Sequence, residues 1–409
     1  MAPLSPLAPA SFPDMPVIRG VRLASGAAGI RYANRDDVLL IAFDEGTTVA
    51  GTFTQSATAA APVLWCRRAL DGGHARALVV NSGNANAFTG ADGQVAVDRT
   101  ARAAAELVGC PAESVFVAST GVIGERLPVD RLERALPDLY GALDGDAWHG
   151  AARAIMTTDT FAKGCTRRCG LKGKAVTING IAKGAGMIAP DMATMLAFIA
   201  TDAAIGPSTL QALLTEACAG SFNAVTIDGD TSTNDTALLF ASGAAGNEPI
   251  DDIDDPALVA FRTALAELAL DLAQQIVRDG EGASRFVTIT VSGADSDLAA
   301  RRLAMTIANS PLVKTAIAGA DANWGRIIAA IGRAGERIEL DRLAVRIGGT
   351  LLAAHGAAVT DIDEAPVAAH MKGSEVVIDV SVGGGDGRFT VWTCDLTHGY
   401  IDINADYRS

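Results

Sequence analysis

The chain has few of the residues from which disulfide frameworks, metal centres and histidine-based catalytic sites are built. Its 409 residues include six cysteines and five histidines, all scattered along the sequence. We expect most thiols to be reduced and buried, because dense disulfide frameworks belong to short secreted chains. Cys165 and Cys169 lie four residues apart, but no second cysteine pair follows, so no metal site is expected. A histidine-based hydrolase is the weaker enzyme hypothesis, since no histidine stands in a triad-like block.

Basic residues and long apolar runs are also lacking. Lys and Arg number 33 against 47 Asp and Glu, a net charge of −14, so nucleic acid is not an expected partner. Charged residues interrupt every apolar run before the ~18 residues that a membrane span needs. Residues 1–16 hold five prolines and no basic residue, unlike a secretory signal, and we interpret them as a flexible arm. These absences favour a cytoplasmic protein.

What the chain does have is 49% hydrophobic residues, enough for a buried core in two or three domains. β-Branched runs alternate with helical stretches, which predicts a mixed α and β fold. One helix is predicted from Pro256, capped by Asp255, to Gly280, and its end suggests a domain boundary near residue 285. A second helix is predicted over 95–108. Strands are predicted over 77–80, 115–118, 286–291 and 375–382, and the glycine-rich residues 383–387 predict a hairpin turn.

One hydroxyl residue, Thr194, stands between a small-residue loop and the apolar run 195–200, which is typical of a buried strand. The small Ala193 before it lets the preceding carbonyl bend towards the Thr194 Oγ. A cut between the two residues would free an α-amine of pKa ~7.7–8.0, able to accept the Oγ proton. The competing interpretation is a threonine that merely begins a core strand, and spacing alone favours it.

The segment 183–203 resembles the processing site of the ornithine acetyltransferase family, also called bifunctional glutamate N-acetyltransferases. Other segments resemble blocks of this family, in the family's order, along nearly the whole chain. They are 80–86 (VNSGNAN), 119–124 (STGVIG), 155–160 (IMTTDT), 228–235 (DGDTSTND), 279–283 (DGEGA), 323–326 (NWGR) and 400–405 (YIDINA). Many ordered blocks are hard to obtain by chance.

The resemblance implies an α+β fold of packed mixed β-sheets flanked by helices, as in self-cleaving aminopeptidases. It implies a catalytic domain over 17–285, cut at 193/194 into an α and a β chain. It also implies a smaller C-terminal α+β domain over 286–409, whose tail returns to the active site. The two fragments are expected to pair and to form an α2β2 heterotetramer.

The activity that the resemblance implies is transfer of acetyl from N2-acetyl-L-ornithine to L-glutamate in arginine biosynthesis, by ping-pong exchange through acetyl-Thr194. No cofactor or metal is needed to exchange one amide for another. The sequence leaves open whether acetyl-CoA also donates acetyl. Two alternatives stay open: a self-cleaving aminopeptidase or amidase that uses water as acceptor, and an uncut protein that only binds acetylated amino acids.

The resemblance also assigns site residues. Thr194 is the nucleophile with its α-amine as base, and Thr120 and Gly121, which follow a strand and lead into a glycine-rich turn, form the oxyanion hole. From charge, we assign Lys183 to a substrate carboxylate and Glu281 to an ammonium group. The positions that bind substrate in the family match Thr160, Lys183, Thr194, Glu281, Asn404 and Ser409.

Four residues depart from the family pattern, and none is a proposed catalytic group. Asp191, where the family usually has Asn, matters most because it lies three residues before Thr194 and bears on the rate of self-cleavage. The polar loops 228–235 and 323–326 are interpreted as structural. The other departures are Phe88 for Cys, Ala162 for Pro and Ala322 for Pro.

Overall fold

The computed structural model describes residues 3–189 and 195–405, and both α-helices and mixed β-sheets are present. The predicted α+β class is therefore confirmed. Contacts divide the chain into two compact units. The larger unit comprises residues 9–223 and 230–276, and the smaller unit comprises residues 1–8, 224–229 and 277–409. The predicted domain limits at 16/17 and 285/286 stay predictions.

The larger unit holds two sheets. Its strands are β1 (Val21–Gly26), β2 (Val38–Phe43), β3 (Thr48–Phe53), β4 (Ala77–Asn84), β5 (Val115–Val122), β6 (Lys163–Leu171), β7 (Lys174–Lys183), β8 (Leu196–Thr201) and β9 (Thr236–Ala241). One sheet has the order β1-β2-β4-β5 and the other β3-β9-β8-β7-β6. Only β4/β5 and β8/β9 run parallel within these sheets as described.

The helices of the larger unit flank these sheets. They are α1 (Ala61–Ala69), α2 (Gly90–Val108), α3 (Val129–Gly141), α4 (Trp148–Ala154), α5 (Pro207–Ala219) and α6 (Leu258–Arg278), and α6 runs on into the smaller unit. Short 3-10 turns occupy Leu70–Gly72, Ala112–Ser114 and Phe222–Ala224.

Successive side chains of a strand point to opposite faces of its sheet. Because the strands of the two sheets have apolar residues on the faces that look towards each other, the sheets pack face to face. Phe43 of β2 stacks on Phe240 of β9 with ring centroids 4.2 Å apart, and Phe116 of β5 meets the same ring edge-on. The opposite face of the β1-β2-β4-β5 sheet packs against α2 and α3. Helix α6 lies close on β7, since a Cβ at Gly180 would be 2.8 Å from Leu268. The core therefore sits between the sheets.

The smaller unit has one six-stranded sheet of order β13-β12-β11-β14-β10-β15. Its strands are β10 (Phe286–Ala294), β11 (Ala344–Ile347), β12 (Thr350–Ala354), β13 (Ala357–Ala358), β14 (Glu375–Ser381) and β15 (Gly387–Cys394). Its helices are α7 (Asp297–Ala308), α8 (Pro311–Ala318), α9 (Trp324–Gly332), α10 (Ala365–Met371) and α11 (His398–Ala405), with a 3-10 turn at Leu340–Arg342.

The predicted hairpin at 383–387 is wrong. The flanking strands β14 and β15 do not pair, because β10 lies between them and bonds to both. The glycines instead carry the chain over the end of β10. A Cβ at Gly385 would lie 2.1 Å from the carbonyl oxygen of Ala294, so a side chain there would not fit.

The two predicted helices are confirmed as elements, with shifted ends. Helix α6 begins at Leu258 rather than Pro256, and the Asp255 carboxylate accepts the Ala257 N–H at 2.8 Å. Helix α2 ends at Val108 as predicted, with Gly109 in a left-handed conformation. It begins at Gly90, five residues earlier than predicted. The prediction began late because the first residues of the helix are polar and show no apolar periodicity.

Of the predicted arm, residues 3–8 belong to the smaller unit and residues 9–16 to the larger unit. Leu7 and Met15 are buried, and the Ser5 hydroxyl donates to the Arg278 carbonyl at 2.6 Å. Within the two stretches described, no helix combines the length and apolar character that a membrane crossing requires.

Candidate functional site

The predicted oxyanion-hole residues lie at the irregular end of β5. Thr120 and Gly121 are paired with Ser82 and Gly83 of β4, and the register shifts just beyond them. The strand predicted over 115–118 thus extends through both residues to Val122. Gly121 has φ +131°, and a Cβ there would lie 2.3 Å from the Gly83 carbonyl carbon. Only glycine fits this close approach of the two backbones.

Lys183 meets Thr120 across the two sheets of the larger unit. It is the last residue of β7 and is 3% exposed. Its Nζ donates to the Thr120 Oγ1 at 3.3 Å. The contact ties the predicted oxyanion hole to the predicted substrate-binding lysine, so the structure brings these two predicted residues together.

A buried carboxylate balances this lysine. Asp159 Oδ1 accepts from Lys163 Nζ at 2.7 Å and from the Gly184 N–H at 2.6 Å, and Oδ2 accepts the Thr157 N–H. Burial opposes its ionisation, but the charges of Lys163 and Lys183 and these hydrogen bonds hold the pKa of Asp159 well below its ordinary value. An ionised Asp159 fixes the loop that follows Lys183 and the segment that carries Thr160.

Asn234 joins the start of β9 to the β4/β5 edge. Its Nδ2 donates to the carbonyls of Ala85 and Ser119 at 2.6 and 2.8 Å. The Ser119 hydroxyl in turn donates to Asn81 Oδ1 at 2.7 Å. These contacts agree with the structural interpretation of loop 228–235.

Within the smaller unit, Glu281 and Asn404 are in contact. Asn404, on α11, donates through Nδ2 to Glu281 Oε2 at 2.7 Å. The helix is held there by the Thr397 hydroxyl, which donates to the Gly282 carbonyl, and by the Tyr400 hydroxyl, which donates to Asp228. The structure therefore gathers a second pair of predicted site residues at the C-terminal helix.

The remaining predicted residues divide into two groups. Thr160 is half-buried and follows Asp159 directly. Ala193, Thr194 and Ser409, like Asp191, lie outside the described residues, and their roles stay predictions. Their neighbour Met195 is described and buried, and β8 begins just after it as the apolar run predicted.

Sequence reasoning missed Asp159 and Lys163 as members of this cluster. Both side chains are fully buried, and charged residues are rarely buried unless they are paired. The one available signal was the i, i+4 spacing of opposite charges in a threonine-rich segment. Lys183 and Gly184, whose charge and N–H group connect Asp159 to the site, lie more than twenty residues further along the chain.

The cysteines are free thiols, as expected. Burial raises the pKa of Cys66 to about 12 and that of Cys218 to about 11, so neither is poised as a nucleophile. Across residues 3–189 and 195–405, no three His, Cys, Asp or Glu side chains gather in a way that would hold a metal ion.

The described residues thus combine packed mixed sheets with a buried network of charged and hydroxyl groups in a fold of mixed α and β structure. The sequence pattern of the ArgJ family matches residues 22–409. The chain belongs to the ArgJ family, which confirms the family predicted from the ordered blocks.

Two relatives of similar length agree with this membership. The "Arginine biosynthesis bifunctional protein ArgJ" of Gluconobacter oxydans is 57% identical over all of this chain and 96% of that protein. The protein of the same name from Agrobacterium fabrum is 54% identical over 99% of both chains. A solved ArgJ structure from Bacillus halodurans is 41% identical, with a TM-score of 0.48 over 50% of this chain and 95% of that one. The predicted enzyme class, a transferase of arginine biosynthesis, is confirmed.

Proposed function

We propose that this chain is a self-processing acetyltransferase that moves acetyl from N2-acetyl-L-ornithine to L-glutamate. The observation that supports it most is the match to the ArgJ family across residues 22–409. The contact between Lys183 and Thr120, two residues assigned to the site from sequence, agrees with it.

Maturation comes first. The Thr194 Oγ attacks the Ala193 carbonyl carbon, the C–N bond breaks, and the Thr194 nitrogen takes up a proton to become an amine. Water then hydrolyses the ester, which leaves a carboxylate on Ala193 and a free hydroxyl on Thr194. The products are an α chain of 1–193 and a β chain of 194–409, and we propose that they pair into an α2β2 heterotetramer.

The mature enzyme then works by double displacement. The α-amine of Thr194 accepts the Oγ proton, and Oγ attacks the acetyl carbonyl of the donor. The Thr120 and Gly121 groups at the end of β5 stabilise the oxyanion. Ornithine leaves as the C–N bond breaks and its nitrogen takes the proton. The glutamate amine then attacks acetyl-Thr194, the ester bond breaks, and Oγ regains its proton.

Charged groups fix the substrates in this scheme. Lys183 holds a substrate carboxylate. The negative charge of Asp159 acts on Lys163 as well as on Lys183, so it does not fully neutralise Lys183. Glu281 holds the side-chain ammonium of ornithine beside Asn404. Acetyl-CoA is proposed as a second acetyl donor, in keeping with the bifunctional names of the relatives, and the exchange itself uses no cofactor.

Kinetics test the double displacement. When acetylornithine is varied at several fixed glutamate concentrations, double-reciprocal plots should give parallel lines. Labelled ornithine should also enter acetylornithine without glutamate, because acetyl-Thr194 forms before the acceptor binds. Intersecting lines without this exchange would contradict the scheme. Release of acetate without glutamate would instead favour the aminopeptidase or amidase alternative.

Replacing Glu281 with glutamine tests the ammonium site. Gln keeps an oxygen that can accept from Asn404 but removes the negative charge. We expect the KM for acetylornithine to rise roughly 10- to 100-fold, since a hydrogen bond to a charged group contributes ~1.5–3 kcal/mol.

The KM for glutamate should change little in this variant, because glutamate has no side-chain ammonium. Glu375→Gln is the matched control, since Glu375 is an exposed glutamate of the same unit, paired with Arg278. Equal effects on both substrates, or none, would remove Glu281 from the site.

A further inference from the structure

A buried carboxyl group, not assigned by the sequence, holds the chain directly after Thr194. Strands β8 and β9 run parallel and pair Leu196 with Thr236. The residues before them, Met195 and Asp235, therefore lie side by side. The Met195 N–H donates to Asp235 Oδ1 at 3.0 Å, and the Thr236 N–H donates to the Met195 carbonyl at 3.1 Å.

Asp235 reaches Met195 with its side chain because its main chain is engaged elsewhere. Its carbonyl accepts the Thr54 N–H, just beyond β3, at 3.0 Å. The Asp235 carboxyl thus adds one hydrogen bond, from the Met195 N–H, at the end of the backbone hydrogen-bond ladder between β8 and β9. Both polar groups of the Met195 main chain are fixed by residues at the start of β9.

The peptide bond between Thr194 and Met195 transmits the restraint on the Met195 N–H to Thr194. A peptide unit is planar, and the unit that contains the Met195 N–H also contains the Thr194 Cα and carbonyl. Fixing the direction of that N–H therefore restrains the Thr194 Cα, from which both Oγ and the α-nitrogen extend.

We propose that Asp235 is a positioning residue for Thr194, which orients the nucleophile through the Met195 amide and acts in its neutral, protonated form. The proposal rests on the function proposed above. It assigns no contact between Asp235 and substrate.

The surroundings of Asp235 favour the neutral form. The residue is fully buried, and burial outweighs the hydrogen bonds that its carboxyl receives from Met195, Ser232 and Thr54. Burial raises the pKa of this carboxyl well above its ordinary value, against the opposing effects of the Met195 N–H and of the charge on Lys183. Lys183 on β7 is the charged side chain whose field acts on Asp235.

A neutral group also suits the chemistry of the α-amine. The nitrogens of adjacent residues are separated by less than the ~3.8 Å of a Cα–Cα step. Met195 N is 3.0 Å from Oδ1, so covalent geometry alone limits the distance from this oxygen to the α-nitrogen of the preceding residue to ~7 Å. A carboxylate at that distance would favour the protonated amine, which cannot act as a base. A protonated carboxyl restrains the chain without that effect.

The variants Asp235→Asn and Asp235→Ala, compared with Asp202→Ala, test whether Asp235 positions Thr194. Asp202 directly follows the far end of β8, is buried, and accepts the Thr177 N–H at 2.9 Å. It is matched to Asp235 in burial and in accepting a backbone N–H, although it also pairs with Arg19 at 3.0 Å, and it lies beyond the opposite end of β8 from Met195, ~20 Å away. Rates of cutting are measured by mass below each variant's melting temperature, together with kcat against pH.

We expect Asp235→Asn to cut at the wild-type rate, because the amide oxygen still accepts from Met195, and the acidic limb of its pH profile to stay in place. Asp235→Ala should slow cutting and lower kcat at least tenfold without a matching change in KM. Asp202→Ala should lose thermal stability but cut normally. If Asp235→Ala cuts normally, or if Asp235→Asn is as slow or its acidic limb shifts, the proposal is wrong. If the wild type itself is not cut, the proposed function fails and this proposal falls with it.

A stability measurement on the uncut Thr194→Ala chain checks the protonation state independently. Above the ordinary carboxyl pKa of 3.8, the folded chain holds a proton that the unfolded chain releases, so this group lowers the free energy of unfolding as pH rises towards its folded pKa. Asparagine has no such proton. Adding Asp235→Asn should therefore raise the melting temperature increasingly with pH above 4, and a pH-independent difference would show that Asp235 is ionised.

Discussion

A Thr194→Ala variant is expected to remain one uncut chain of 41.8 kDa and to lose acetyl transfer by roughly 10⁴-fold or more. The substitution removes the oxygen that attacks in both maturation and catalysis. It also prevents the cut that frees the α-amine, so nucleophile and base are lost together. Intact mass and N-terminal sequencing of the purified protein measure the first effect, and acetyl transfer to glutamate measures the second.

Thr194→Ser is the matched control for this variant. It keeps a hydroxyl at the same position, so it should still cut before residue 194 and retain activity at a reduced rate. Wild-type fragments of 1–193 and 194–409 that are absent in the alanine variant would establish the nucleophile. A wild-type protein that stays whole, with the same activity as Thr194→Ala, would favour the uncut binding protein considered from the sequence.

Gly121→Ala is expected to lower kcat by roughly 10²- to 10³-fold, comparable to the loss of one oxyanion donor. A Cβ at this position would lie 2.3 Å from the Gly83 carbonyl carbon and 2.6 Å from the Asn84 nitrogen. Because these are backbone atoms of β4, the end of β5 must move away, and the Thr120 and Gly121 groups move with it. Cutting of the precursor should slow in parallel, since the same donors would stabilise its tetrahedral intermediate.

Gly124→Ala separates this displacement from simple backbone strain. Gly124 also has a positive φ, +84°, but a Cβ there would meet nothing within 4 Å. Both variants should lose stability because alanine is strained at positive φ, and only Gly121→Ala should lose kcat. Equal kcat in the two variants would contradict the placement of the oxyanion hole at the end of β5.

Sequence patterns predicted those parts of the fold that depend on neighbouring residues. The apolar run after Thr194 is β8, buried throughout, and the three- and four-residue spacing before Gly280 is α6. These elements form where the local pattern of apolar residues decides the structure. The family blocks added the assignment of Thr120, Lys183, Glu281 and Asn404 to the site, which local patterns do not supply and which stays a prediction.

The parts that could not be predicted depend on residues far apart in the chain. Residues 383–387 looked like a hairpin turn because nothing local shows that β10, almost a hundred residues earlier, is inserted between the flanking strands. Asp235 looked like a loop residue because its partner Met195 lies forty residues before it. In both cases tertiary pairing decides the role of a residue whose immediate surroundings are uninformative.

The strand order β3-β9-β8-β7-β6 bears on the stage of synthesis at which the proposed cut at 193/194 is expected. A ribosome releases the chain from its N-terminus, so Thr194 emerges before Thr236–Ala241, which form β9. Until then, within the part of the chain that the structure describes, β7 is the sheet neighbour of β8 that has already been made, and Asp235 and Thr236, which bond to Met195, have not been translated. If Asp235 positions Thr194 as proposed, an unfinished chain lacks that contact, and the proposed cut at 193/194 is expected only after residues 235–241 have been translated.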